Sequence, residues 1–321
     1  MNIIGNFIIF FAACFFIYKT ADIFVRGAIE VSLALKLSKV FIAVTLVSII
    51  TTMPELIVSV SSSYLGETGM SIGNAIGSCI CNIGLVFAVG AILSDITLKK
   101  NEFIHRMVIL LTALMVVYIF SFGGIIGRRE GAVLLALTGV FFTYNYYLAL
   151  KNKKEIEHEI AAEGIKGNMA NGSLLLVLGG FLTIILARFG LVSTGINIAN
   201  FFHVPPILIG LTLVAVGTSL PELFTSIISS RSHHGEIVFG NVIGANMLNL
   251  LFVLGVAAIV RPQVIDRPTL MFNMPFAFLM TAAMLVMGLF GMKFDRIKGL
   301  VLLALYAFYV CFIYVFIYGR L

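Results

Sequence analysis

One stretch of this chain is repeated 167 positions further on, and this repeat constrains the fold more than any other feature of the sequence. The stretch "TTMPELIVSVSS" (residues 51–62) returns as "TSLPELFTSIIS" (residues 218–229), and the same offset continues without a gap into the next segment. The matched pairs are Thr45/Thr212, Leu46/Leu213, Val47/Val214, Thr51/Thr218, Pro54/Pro221, Glu55/Glu222, Leu56/Leu223, Ser59/Ser226, Ser62/Ser229, Ser63/Ser230, Gly73/Gly240, Asn74/Asn241, Ile76/Ile243, Gly77/Gly244 and Asn82/Asn249. Two segments and the loop between them are therefore duplicated.

Both copies lie in a chain whose composition is that of a membrane protein. Hydrophobic residues make up 60% of the sequence and charged residues only 11%, whereas a soluble domain carries about 25% charged residues. Apolar runs of about 20 residues indicate transmembrane helices. Ten such runs occur, at 3–33, 40–64, 70–94, 104–121, 125–150, 173–200, 206–231, 237–259, 269–291 and 299–318. We expect an all-α polytopic membrane protein with ten transmembrane helices.

The repeat divides these ten spans into two halves of five. Residues 1–150 form the first half, the polar residues 151–172 form a linker, and residues 173–321 form the second half. A duplicated unit with an odd number of spans enters the membrane from the opposite side the second time, so the repeats are expected to be inverted. Inverted repeats with broken helices at the midplane are typical of secondary transporters.

The distribution of basic residues predicts the orientation of the chain. The net charge of +6 does not indicate a nucleic-acid partner, because in a membrane protein the position of Lys and Arg matters more than their sum. With the N-terminus outside, the cytoplasmic loops hold Lys36, Lys39, Lys99, Lys100, Arg106, Lys151, Lys153, Lys154, Lys166, Arg231, Lys293, Arg296 and Lys298. The opposite side holds only Arg128, Arg129, Arg261, Arg267 and Arg320. We therefore predict both termini outside and the linker in the cytoplasm; the sequence does not fix the oligomeric state.

Two glutamates lie deep in apolar spans, one in each copy of the repeat. An ionisable group at the bilayer centre costs about 2.5 to 3.5 kcal/mol, which makes Glu55 and Glu222 functional candidates. Each follows a proline, Pro54 or Pro221, which has no N–H to donate and therefore interrupts the helix.

The other polar residues near these breaks offer only oxygen. Amide oxygens come from two asparagines and hydroxyls from five further residues: Asn82, Asn249, Thr51, Thr52, Thr218, Ser219 and Ser78. Oxygen ligands that include carboxylates suit hard cations, Ca2+ in particular. The charge of the two glutamates is balanced by one Ca2+ or by two monovalent ions, so competition for one site can couple opposed ion movements.

At these residues the sequence resembles the cation/calcium antiporter superfamily, and most closely its prokaryotic sodium/calcium exchanger branch. The segments "GTSLPE" (217–222) and "GNAIGSCICN" (73–82) are similar to the two halves of that family's repeat motif. The resemblance implies exchange of Ca2+ for Na+ by alternating access, without a cofactor, in the cytoplasmic membrane of a prokaryote. It also implies Glu55 and Glu222 as central ligands, the carbonyl groups of Ser48 and Ala215 as further ligands, and sliding of the first and sixth helices across the others.

Four positions depart from the family pattern. Ile50 replaces the usual glycine and Thr52 the usual serine, Asn249 stands where aspartate is frequent, and Ala245 lacks a hydroxyl that relatives carry. Because these departures concern ligands, an H+/Ca2+ antiporter of the same fold, or transport of another divalent ion such as Mg2+ or Mn2+, stays an alternative. An intramembrane hydrolase has no HExxH or GxSxG signature to support it, and a passive channel has no ring of carboxylates.

Overall fold

The computed structural model describes residues 3–163, 167–186, 189–190, 193–194, 197, 201 and 210–317, most of which are helical. The helices are Ile3–Leu35 (α1), Lys39–Ile42 (α2), Ser48–Thr51 (α3), Met53–Leu65 (α4), Thr68–Cys81 (α5), Ala88–Leu93 (α6), Lys100–Ser121 (α7), Arg128–Glu163 (α8), Met169–Ile185 (α9), Ala215–Thr218 (α10), Leu220–Arg231 (α11), Gly235–Met247 (α12), Leu254–Val260 (α13), Met274–Leu289 (α14) and Arg296–Phe312 (α15). Wider π-helical segments lie at Ala43–Val47, Asn82–Phe87, Gly210–Val214, Leu248–Val253, Thr269–Asn273 and Ile313–Ile317.

The described helices include enough long apolar ones for a polytopic membrane protein. Six are long and apolar enough to cross a membrane, and residues 39–65 add a bent seventh. The six are Thr68–Leu93, Lys100–Ser121, Arg128–Lys151, Gly235–Val260, Thr269–Leu289 and Arg296–Val315. The predicted sixth span and the start of the predicted seventh lie partly outside the described residues.

Two helices are interrupted where the sequence predicted a break. We call residues 39–65 the first broken helix and residues 210–231 the second. Thr52 (φ −81°, ψ −2°) and Ser219 (φ −83°, ψ 6°) leave helical geometry, and the next helix begins with a proline at its second position in both cases. The first broken helix bends by 43° at this point. Proline is well tolerated in the first turn of a helix, because the backbone N–H groups of that turn have no acceptor within the helix.

Two long helices form the centre of the fold, and each crosses a broken helix of the other half. We call Thr68–Leu93 the first site helix and Gly235–Val260 the second. The second site helix packs against the first broken helix, and the first site helix packs against the second broken helix. Close contact depends on glycine: a Cβ on Gly77 would lie 2.7 Å from the Leu211 carbonyl oxygen, and one on Gly244 would lie 2.5 Å from that of Val44. These two glycines of the repeat therefore allow the helices to pack closely.

Two short antiparallel ladders join loops of the two halves. Ile96–Thr97 (β1) pairs with Lys293–Phe294 (β4), and Ile125–Ile126 (β2) pairs with Gln263–Val264 (β3). Beside the first ladder, Lys293 forms a 2.7 Å ion pair with Asp95. This hydrogen bond and the charge of Asp95 raise the pKa of Lys293.

The segment predicted as a linker is partly helical. Helix α8 starts in the predicted fifth span and continues without interruption to Glu163, and α9 already begins at Met169. The helix of the predicted fifth span therefore continues through the charged residues after Lys151, and part of the predicted linker 151–172 is helical.

Candidate ion-binding site

The two buried glutamates each lie in the first helical turn after a break. Glu55 and Glu222 are fully buried. The free N–H groups and the dipole at a helix N-terminus favour a negative charge at this position. The breaks at Thr52 and Ser219 thus create two helix starts inside the protein, each with a carboxylate.

The two carboxylates have unequal hydrogen-bond partners. One oxygen of Glu55, Oε1, accepts a hydrogen bond from the Ser219 hydroxyl at 3.2 Å, whereas Oε2 forms none with a described residue. Neither oxygen of Glu222 has a hydrogen-bond partner in the described part of the chain, and the hydroxyl of Thr52 has none either. The bond between Ser219 and Glu55 therefore has no counterpart between Thr52 and Glu222.

The threonines before each break bind asparagines of the opposite half. The Thr51 hydroxyl donates to Asn241 Oδ1 at 3.2 Å, and the Thr218 hydroxyl donates to Asn74 Oδ1 at the same distance. Asn74 also donates to the Glu55 carbonyl oxygen at 3.2 Å. These reciprocal bonds hold each broken helix against the site helix that crosses it.

Sequence reasoning did not single out Asn74 and Asn241 as site residues, although both belong to the matched repeat. Both are buried, and they contact the side chains of predicted ligands. Their position in the "GN" pairs at 73–74 and 240–241 was the available signal, and only the crossing of the helices shows what they bind.

Asn82 and Asn249 lie in the π-helical segments of the two site helices. Asn82 Nδ2 donates to Asn246 Oδ1 at 3.0 Å, which leaves its own Oδ1 without a described partner. Neither polar atom of the Asn249 side chain, nor the hydroxyl of Ser78, has such a partner. A π-helical turn is frequent at functional sites because it shifts the helical register locally.

The carbonyl groups of Ser48 and Ala215 are already in use within their helices. The Ser48 oxygen accepts from the Thr52 N–H (2.9 Å) and the Thr51 hydroxyl (3.4 Å). The Ala215 oxygen accepts likewise from the Ser219 N–H (3.0 Å) and the Thr218 hydroxyl (3.2 Å). A carbonyl oxygen has two lone pairs, so binding an ion there requires the threonine hydroxyl to turn away.

Seven buried oxygens of the predicted ligands have no hydrogen-bond partner among the described residues. They are Thr52 Oγ1, Glu55 Oε2, Ser78 Oγ, Asn82 Oδ1, Glu222 Oε1, Glu222 Oε2 and Asn249 Oδ1. Buried oxygens are normally hydrogen-bonded, and leaving one unpaired costs about 1 to 3 kcal/mol. Two carboxylates together with such unpaired oxygens are the type of donor set that a hard cation needs.

The sequence profile of the family described as "Sodium/calcium exchanger protein" matches residues 5–147 and 172–315, which is most of the chain. The chain belongs to this family. It is 30% identical to the sodium/calcium exchanger MaX1 of Methanosarcina acetivorans, covering 98% of this chain and 99% of that protein. It is also 33% identical to the membrane protein MJ0091 of Methanocaldococcus jannaschii, covering 90% and 92%.

Among solved structures, the sodium-calcium exchanger NCX_Mj soaked with Na+ and Ca2+ has a similar fold. The TM-score is 0.81 at 28% identity, and the match covers 97% of this chain and 99% of that one. This exchanger-family protein is therefore an integral membrane ion transporter and not an enzyme, so the intramembrane hydrolase considered from the sequence does not apply.

Proposed function

We propose that this exchanger-family protein is an antiporter that moves Ca2+ in one direction and Na+ in the other by alternating access. The observation that carries the proposal is the pair of buried carboxylates, Glu55 and Glu222, in a protein whose other predicted ligands include buried oxygens without a hydrogen-bond partner among the described residues. A −2 site binds one Ca2+ or at least two Na+ ions with charge balance, and the two loads compete for the same oxygens. Exchange then follows from competition.

The proposed ligands are the eleven residues predicted from the sequence. Glu55 and Glu222 supply the charge, and neutral oxygens come from Thr51, Thr52, Thr218, Ser219, Ser78, Asn82, Asn249, Ser48 and Ala215. Ca2+ binds six to eight oxygens at about 2.3 to 2.6 Å, so only part of this set binds one Ca2+ at a time. The remaining hydroxyl and carbonyl groups suit separate Na+ ions. No further cofactor is part of the proposal.

We further propose ten spans, arranged as two inverted repeats of five joined by the segment 151–172. Contacts between loops support this arrangement. Lys39 contacts Glu236 at 3.4 Å, joining the loops after the predicted first and seventh spans. Gln263 Nε2 donates to Ser63 Oγ at 3.0 Å, joining the ends of the second and eighth. The loop ladders β1–β4 and β2–β3 also pair loops that alternate crossing assigns to the same side.

The orientation follows from the basic residues. The side with Lys39, Lys100 and Lys293 faces the cytoplasm, and both termini face outward. The protein then lies in the cytoplasmic membrane of a prokaryote, with the extension of α8 beyond Lys151 in the cytoplasm.

Proton-driven exchange is the second candidate, because two protons can replace Ca2+ on two carboxylates. Sodium is favoured by the hydroxyl groups of Thr51, Thr52, Thr218 and Ser219 next to those carboxylates, since proton binding does not need them. A different divalent ion is the third candidate, because ligand type alone does not separate Ca2+ from Mn2+.

Uptake of radioactive calcium into proteoliposomes tests the proposal. Vesicles loaded with Na+ are compared with choline-loaded vesicles under an imposed pH gradient, and both are repeated with Glu55→Gln and Glu222→Gln. We expect uptake that needs internal Na+ and is lost in both variants. Uptake driven by the pH gradient alone would replace Na+ by H+, and no uptake under either gradient would overturn Ca2+ as the substrate. Flux without any counter-ion would indicate a channel.

A further inference from the structure

Two cavities meet between α7 and α8, far along the chain from the glutamates, and neither takes part in the proposed exchange. We propose that they form one binding site for an anionic phospholipid, with the headgroup in a polar pocket and an acyl chain in an apolar groove. The proposal does not depend on which ion the protein transports.

The polar pocket has a volume of about 280 Å³. It lies where α7 begins near Lys100 and where the membrane-spanning part of α8 ends at Lys151. Its lining includes Arg106, Lys151, His105 and the carboxylate of Glu102. Arg106 and Lys151 together carry two positive charges against one negative charge, so with a neutral histidine the pocket keeps an excess of one positive charge. This excess selects an anion.

Arg106 is held in position by its neighbours. Its side chain is only 8% exposed, and it contacts Glu102 Oε1 at 3.0 Å and 3.2 Å and Asn145 Oδ1 at 2.7 Å. Asn145 is fixed in turn by a 2.8 Å bond to the Phe141 carbonyl oxygen. A guanidinium has five N–H donors, and these contacts use three, which leaves two for a phosphate. Fixing the side chain in advance lowers the entropy cost of binding.

The apolar groove continues from the pocket toward the middle of the membrane. Its volume is about 340 Å³, and it shares four lining residues with the pocket: His105, Ile109, Phe141 and Tyr144. The remaining lining of the groove includes Val108 and Val116 of α7, Val140 of α8 and Leu251 of the second site helix. A polar end that opens into an apolar channel matches an amphipathic ligand.

The dimensions fit one leaflet of the bilayer. At 1.5 Å per residue, the ten residues from Arg106 to Val116 cover about 15 Å, half of the ~30 Å hydrocarbon core. Val108 and Val140 are 50% and 62% exposed, on a surface that faces lipid in a membrane helix. The groove is therefore open to the bilayer, which favours a lipid over a water-soluble anion.

The predicted orientation supplies the matching ligand. The pocket lies on the side assigned to the cytoplasm, where the leaflet is rich in anionic lipids, and basic pockets between helices on that side bind anionic headgroups. The acyl chain then packs against Met247 and Leu251, which flank Asn249 on the second site helix. A bound lipid thus contacts a helix that carries a proposed ion ligand.

The absence of tryptophan from the sequence allows a direct test. In Tyr144→Trp, a single tryptophan reports from the junction of pocket and groove, and Tyr147→Trp is the control on the same helix but outside both cavities. Each variant is reconstituted with phosphatidylglycerol or phosphatidylcholine brominated in the acyl chains, and quenching of fluorescence is measured. We expect the anionic lipid to be preferred about fivefold at position 144, corresponding to roughly 1 kcal/mol for one excess charge. We expect no preference at position 147.

Second substitutions in the Tyr144→Trp background distinguish the contribution of the headgroup pocket from that of the acyl-chain groove. Lys151→Ala should remove most of the preference, whereas Lys100→Ala, which removes a charge at the same membrane surface outside the pocket, should not. Val140→Phe should reduce quenching by both lipids, and Val133→Phe, also exposed on α8 but outside the groove, should leave it unchanged.

Three results of the comparisons between lipids and variants would overturn the proposal. These are equal quenching by the two lipids at position 144, the same preference at position 147, or equal effects of Lys151→Ala and Lys100→Ala. Loss of the preference in inorganic phosphate, but not in chloride of equal ionic strength, would identify a soluble anion as the ligand and also overturn it.

Discussion

The two broken helices have nearly the same backbone dihedral angles at the break but present different side chains to the site. In the first, Thr52 leaves its hydroxyl without a described partner, and in the second, Ser219 donates to Glu55 at 3.2 Å. Each break is followed by a proline and a buried glutamate. The duplication therefore preserves the carboxylates and the break, while the neutral ligands around them differ.

Residues next to the site differ in the same way. Ile50 packs beside Gly180 in a cluster with Phe24, whereas a Cβ on its repeat counterpart Gly217 would meet no described atom within 4 Å. A large apolar side chain occupies this position in the first half, whereas no described atom approaches the corresponding position in the second. We infer that the two halves contribute equally to charge but unequally to ligand geometry and packing.

The largest effects are expected where the halves are alike. Glu55→Gln and Glu222→Gln should each reduce Ca2+ uptake at least ~30-fold, because removing one member of a buried charged contact costs roughly 2 to 5 kcal/mol. Glu67→Gln, an exposed glutamate just beyond the first broken helix, is the control and should transport normally. Retention of more than a tenth of the activity in one glutamate variant would show that the halves are unequal in charge as well.

Removing the hydroxyl group at each break should lower the Ca2+ affinity by different amounts in the two halves. Ser219→Ala removes a hydrogen bond to a carboxylate, worth about 1.5 to 3 kcal/mol, and should weaken the apparent Ca2+ affinity about tenfold or more. Thr52→Ala removes a proposed neutral ligand but no such hydrogen bond, and should weaken the affinity by a smaller factor, about threefold. Ser219→Thr should restore binding. Equal losses in the two alanine variants would contradict the asymmetry.

Substitutions in the packing beside the breaks should change the stability of the protein differently in the two halves, without a comparable difference in ion binding. Ile50→Ala loses contacts of a half-buried side chain, and we expect its unfolding free energy to fall by about 1 to 2 kcal/mol. Gly217→Ala should be neutral or stabilising by up to about 1 kcal/mol. Alanine lowers the conformational entropy of the unfolded chain, and its Cβ would contact no described atom in the folded protein. Melting temperatures in detergent measure both. A larger loss in Gly217→Ala would reverse this part of the comparison.

The smallest effect is expected where a hydroxyl is missing from one half. Ala245→Ser adds the group that Ser78 offers in the first half, and we expect the Ca2+ affinity to rise by no more than about threefold, or ~0.6 kcal/mol. Ser78→Ala is the reciprocal variant, and competition with Na+ measures both. An unchanged affinity in both variants would exclude these positions from the ion site.

Several features of the fold followed from the sequence because each depends on local chemistry. A proline inside a long helical segment removes a backbone N–H and disrupts the preceding turn, so the breaks before Glu55 and Glu222 were predictable from the positions of Pro54 and Pro221. Glycine has no side chain and small residues at four-residue spacing favour close helix contacts, which Gly77 and Gly244 make.

Other features depend on which segments meet in space, and the sequence offered little signal for them. The bonds from Thr51 to Asn241 and from Thr218 to Asn74 exist because each site helix crosses the broken helix of the other half. The contact of Asn82 with Asn246 is harder still to foresee, since the repeat counterpart of Asn246 is Cys79. The two-residue ladders were too short to predict. The continuation of α8 to Glu163 was not predicted, because the charged residues after Lys151 indicated a polar linker.

Equilibrium binding of radioactive Ca2+ to purified protein tests most directly the central claim, that both glutamates belong to one shared site. We predict one Ca2+ bound per chain, displaced by Na+, and no measurable binding in either Glu55→Gln or Glu222→Gln. Two Ca2+ ions per chain, or normal binding in one of these two variants, would show that each half holds its own ion and would contradict the account.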